Sequence, residues 1–102
     1  MDTNIFNETI VKASRKRQDE IMKTKGPDYC RKVDDRLHNF KTTASDIGIS
    51  PFLVWAVYAH KHWDAILTYI STGSIESEPI EGRIDDLHNY LYLLEGLIKE
   101  KE

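Results

Sequence analysis

Apolar residues recur at helical spacing in successive stretches of this chain, and no stretch alternates with the two-residue period of a convincing strand. Val33, Leu37, Phe40, Ala44 and Ile47 step by four, three, four and three, a single stripe that Gly48 ends as a left-handed cap. Ser50-Pro51 follows as an N-cap and a first-turn proline, opening a helix through about Ser71 that Gly73 stops. Its inward face is predicted as Phe52, Trp55, Ala59, Trp63, Ile66 and Ile70. Pro79 opens the last helix, where Ile80, Ile84, Leu87, Leu91, Leu94 and Ile98 form an unbroken seam. Residues 4–24 predict one more helix with Phe6, Ile10, Ala13 and Ile21 on one side, interrupted by Arg15-Lys16-Arg17. The Gly-Pro pair makes KGPDYC, residues 25–30, a loop. These elements predict an all-α fold, a small bundle of three to four helices whose C-terminal pair forms an antiparallel hairpin. With 102 residues it is a single domain, residues 1–102, with residues 1–27 holding the N-terminal helix.

The last helix carries a second stripe. Arg83, Asp86, Tyr90, Leu93 and Leu97 are spaced three, four, three and four, beside the first seam. Either it widens the core, or Tyr90, Leu93 and Leu97 form an oligomer interface. A chain this small buries only a modest core, so association with further copies would add much to its stability.

Charge narrows the range of partners. The net charge is -3, with ten Lys/Arg against eight Asp/Glu in residues 1–50 and four against nine in residues 51–102. Duplex nucleic acid needs a sustained basic surface, which this distribution lacks. The longest apolar run, residues 51–59, is too short to span a bilayer, so no membrane partner is expected. A lone cysteine, Cys30, forms no intrachain disulfide, and a reducing cytoplasm is the expected setting.

Three clusters carry candidate chemistry. At the start of the last helix, Glu78, Glu81, Asp85 and Asp86 suit the helix dipole, whereas Arg83 opposes it and needs a partner, either Asp86 or a ligand phosphate. Asn89 flanks this pair. In YAHKHWD, residues 58–64, His60 and His62 point about 160° apart and cannot share a metal. Lys61 and His62, next to aromatic side chains, form a combination that can hold a phosphate and stack a base. In DYCRKVDDRLHNF, residues 28–40, Arg36 and Asn39 share a helix face and Tyr29 lies in the preceding loop. Each cluster also has a structural reading: solvated lysine, boundary histidine, first-turn acids at Asp34 and Asp35, and Tyr29 as a lid on the core.

Catalysis is disfavoured by this inventory. All-α nucleotide pyrophosphohydrolases hold magnesium with acids from two helices, an ExxE followed by an ExxD; here Glu78-Pro-Ile-Glu81 has no downstream ExxD. No nucleophile motif surrounds any Ser or Cys. No catalytic residue, metal ligand or cofactor is assigned.

The order DY, DDRLHNF, a Gly-Ile-Ser-Pro helix start with KH in its middle, then SEPIEGRIDDLHNYLYLL, resembles a widespread group of small bacteriophage proteins linked to nucleotides. The likeness spans roughly residues 28–98, and its most specific segment is GRIxDxxNYLxLL. The group is similar to the viral sponges that sequester the cyclic dinucleotides of bacterial CBASS immunity. That resemblance implies a non-enzymatic homo-oligomer, a tetramer being favoured, acting in the cytoplasm of an infected bacterial host. It implies a nucleotide site in which Lys61, Arg83 and Arg36 hold phosphates, His62 and Tyr29 contact bases or ribose, Asp86 and Asn89 read base edges or orient the cations, and Asn39 also lines the site.

Overall fold

Asp2 caps the first helix by accepting the Ile5 backbone N–H at 2.8 Å. The computed structural model describes residues 1–24, 34–75 and 78–101. Among these all regular structure is helical: α1 (Thr3–Phe6), a π-helical turn (Asn7–Lys12), α2 (Ala13–Thr24), α3 (His38–Ile47), α4 (Pro51–Thr72) and α5 (Ile80–Lys101). The residues joining α1, the π-helical turn and α2 all keep right-handed helical dihedrals, so the N-terminal segment runs as one rod. The KGPDYC loop, with Tyr29 and Cys30, lies outside the described residues, as does Val33.

The helix boundaries follow the turn chemistry of the sequence. Ser50 Oγ accepts the Phe52 N–H at 3.1 Å ahead of Pro51. Gly48 and Gly73 close α3 and α4 with φ of 73° and 79°, a conformation that costs glycine little. Pro79 stands just ahead of α5, its carbonyl accepting the Gly82 N–H at 3.0 Å.

Helices α4 and α5 are antiparallel. Lys101 at the end of α5 lies over the ring of Phe52 at the start of α4, Trp55 Nε1 donates to the Tyr90 carbonyl at 2.6 Å, and His62 meets Arg83. Helix α3 packs across this hairpin, and Leu37, Phe40, Ala44, Val54, Leu93 and Leu97 form the buried core, flanked by Phe52, Trp55 and Tyr90. The rings of Tyr58 and Tyr90 both approach Phe40.

The packing corrects three sequence expectations. Of the two readings of the stripe of Tyr90, Leu93 and Leu97, the oligomer interface gives way to the wider core: Leu93 and Leu97 are occupied by α3 and α4, with Tyr90 flanking them. The α5 seam read as core turns outward, leaving Ile84, Leu91 and Ile98 exposed. On α4, Ala59 is buried as expected and Val54 is buried with it, whereas Trp63 and Ile70 face solvent. Both helices are two-sided, and periodicity cannot tell which apolar face meets α3.

Polar contacts latch the N-terminal rod to α5. Arg17 grips Asp85 with Nε on Oδ2 at 2.7 Å and Nη2 on Oδ1 at 3.3 Å, and Gln18 donates to the Asp85 carbonyl at 2.9 Å. Ile5, Phe6 and Ile10 stay exposed.

Candidate functional site

Arg83 sits on the first turns of α5, where backbone N–H groups already make the potential positive. The fold supplies compensation from both helices. Glu78 Oε1 lies 2.8 Å from Arg83 Nε, and His62, from the middle of α4, brings Nδ1 to 3.3 Å from Nη1. One turn further along α5, Asp86 Oδ2 stands 3.7 Å from the same His62 nitrogen. The His62 ring lies 5.1 Å from that of Tyr90. Side chains of Arg83, His62 and Asp86 are 14%, 12% and 16% exposed, so the cluster is a largely buried polar group between the two helices.

Burial dominates the titration of His62 and pushes its pKa below the ordinary value. Asp86 opposes that shift, and the Arg83 and Lys61 charges add to it. The imidazole is therefore held neutral, with Tyr90 beside it as an aromatic surface. The cluster combines a guanidinium fork, a neutral ring and two carboxylates, of which Glu78 is the more exposed.

Three of the sequence-derived site residues thus meet: His62, Arg83 and Asp86. Lys61 is exposed and turned about 100° from His62. Asn89 is fully buried, one turn from Asp85 on α5. Asn39 is half-buried on α3, and Arg36 is exposed at the rim of a cleft of about 430 Å³ whose lining includes Met22, Leu37, Tyr92 and Gly96. Tyr29 lies outside the described residues.

Sequence reading gave Glu78 only a dipole role, yet it clamps Arg83. It also passed over the Arg17–Asp85 pair. The signal for that pair was present in the basic triplet interrupting the N-terminal stripe, which marks where a helix meets an acid instead of an apolar groove. No group of three or more His, Cys, Asp or Glu able to hold a metal occurs among the described residues. No helix among them is long and apolar enough to cross a membrane.

No family model matches the chain, and neither a curated protein nor a solved structure matches it.

Proposed function

We propose that this protein is a non-enzymatic, homo-oligomeric nucleotide sponge that sequesters a cyclic dinucleotide, such as cyclic GMP-AMP, and so blocks CBASS defence in the cytoplasm of a phage-infected bacterium. The observation that carries the reading is the contact of Arg83 with His62, bracketed by Glu78 and Asp86 and backed by Tyr90. A phosphate takes the place of Glu78 on the guanidinium fork, and the more exposed Glu78 carboxylate swings into solvent. The His62 and Tyr90 rings offer a base a stacking surface, and Asp86 accepts from an exocyclic amine. Lys61, Arg36 and Asn39 join the reading only if copies of the chain come together around the ligand; Asn89, fully buried within its own chain, is a packing residue and drops out of the site, and Tyr29 lies outside the described residues. Sequestration needs tight binding without turnover.

Isothermal titration against a panel of cyclic di- and trinucleotides tests the proposal, with chromatography of the ligand recovered after heat release. Tight binding of a cyclic dinucleotide that is recovered intact is expected. Release of phosphate or pyrophosphate from a nucleoside triphosphate with magnesium would favour a pyrophosphohydrolase-like enzyme, whose first carboxylate, Glu78, is here engaged by Arg83. Full biological activity of Arg83→Ala and Lys61→Ala variants would favour a structural self-association module.

A further inference from the structure

Two helices leave an apolar seam bare on one side of the molecule. On α5 the steps Ile84, Leu87, Leu91, Leu94, Ile98 run three, four, three, four, and Ile84, Leu91 and Ile98 are 40%, 48% and 44% exposed. On α4 the steps Leu53, Ala56, His60, Trp63, Leu67, Ile70 run three, four, three, four, three, and all six are exposed. Both are the a and d spacing of helices packed side by side with knobs in holes.

The seams share a face. On α4, Trp55 and His62 point to α5, while Val54 and Tyr58 point to the α3 side. At 100° per residue the α4 seam lies about 100° round from the α5-facing residues, in the sense opposite to α3. On α5, Tyr90 and Arg83 point to α4, while Leu93 belongs to the α3 core and Gly96 approaches Leu37. The α5 seam again falls about 90° away from α4, opposite α3. One side of the hairpin is covered by α3, and the other is a pair of adjacent antiparallel ridges.

We infer that two copies of this chain pair through that outer face, the α4–α5 hairpin of each contributing two helices to an intermolecular four-helix bundle. The seam positions hold no Lys, Arg, Asp or Glu, and charge depletion with aromatic enrichment marks the core of an interface. Trp63, near the middle of the α4 seam, is the large anchor, and Ala56 two turns earlier leaves a hole to receive one. His60, which pairs with Asp64 at 3.2 Å, is the single ionisable seam position and fixes the register.

The chain has surface to give up: it exposes 7285 Å², roughly 1,300 Å² more than the ~5,900 Å² of a compact chain of 11.9 kDa, a surplus this face shares with the exposed N-terminal rod, and a standard interface buries about 800 Å² per partner. Its radius of gyration of 15.5 Å likewise exceeds the ~13 Å of a compact chain of this length. This pairing gives the proposed homo-oligomer its surface and is independent of any nucleotide, so failure of pairing and failure of ligand binding are read separately.

Sedimentation equilibrium of the full chain without ligand tests it. The mass is expected at twice 11.9 kDa or a higher even multiple, and Leu67→Glu and Leu91→Glu are each expected to reduce it at least twofold with an unchanged far-ultraviolet circular dichroism spectrum. Should a charged variant fail to fold, the double truncation Leu91→Ala, Ile98→Ala is expected to weaken association roughly tenfold or more. A wild-type mass of 11.9 kDa at micromolar concentration overturns the inference. So does an oligomer unchanged by these substitutions, or one dispersed only by Ile10→Glu in the N-terminal rod.

Discussion

Arg83 Nη1 lies 3.3 Å from His62 Nδ1, and because a guanidinium only donates, that imidazole nitrogen accepts. The contact joins the middle of α4 to the start of α5 and assigns His62 the neutral tautomer protonated at Nε2. Protonating His62 would turn an accepting nitrogen into a donor facing a cation.

A pH dependence follows from the depressed His62 pKa. The unfolded chain takes up this proton more readily than the folded one, so the contribution to stability is fully present above about pH 6.5 and is lost as pH falls below it. Thermal melting between about pH 7.5 and pH 5 is expected to show a falling midpoint in wild type and a flatter profile in His62→Asn. Asp35, held below the usual carboxylate range first by Lys41 and then by the Leu37 N–H, contributes in a separate window, lost as pH falls below about 4.

Arg17 and Asp85 fasten the N-terminal rod. Asp85 is 7% exposed and Arg17 45%, so Arg17→Ala leaves a carboxylate poorly solvated while part of the ion-pair energy was already screened. A loss of about 1–3 kcal/mol is expected. Hydrogen exchange should show α2 losing protection first, with α3 to α5 less affected; uniform loss across all helices would contradict a local latch.

Leu93 and Phe40 are core residues of the chain itself. Leu93→Ala is expected to cost about 2–5 kcal/mol and Phe40→Ala about 3–5 in denaturant unfolding. Leu93→Asp should abolish folding instead of yielding a folded monomer. A folded, stable Leu93→Asp chain would contradict the assignment of this face to the core.

At Gly48 and Gly73 an added Cβ meets nothing within 4 Å, so the cost of alanine there is purely that of the left-handed backbone. Gly48→Ala and Gly73→Ala are each expected to destabilise by roughly 1–2 kcal/mol in thermal or chemical unfolding.

The elements were legible in the sequence because their signals are local. Ser50-Pro51, Gly48 and Gly73 state where helices begin and end, and steps of three and four state that they are helices. Which face turns inward is a tertiary choice: α5 offers Ile84, Leu91, Ile98 on one side and Leu93, Leu97 on another, and the more regular seam is the outer one. In the candidate site, Arg83 and Asp86 were legible because a cation at a helix start demands a partner, and His62 because it stands beside aromatic side chains; that His62 meets Arg83 was not. The role of Glu78 depends on how the chain enters α5, and that of Arg17 on where a separate helix docks, neither of which residue spacing encodes.

The most direct measurement is calorimetric titration of cyclic GMP-AMP into wild type and into Arg83→Ala, with circular dichroism confirming that both are folded. Saturable binding by wild type, weakened at least tenfold in the variant, with the ligand recovered uncleaved, is the predicted result. Absence of binding by folded wild type, or equal affinity in the two proteins, would contradict the account.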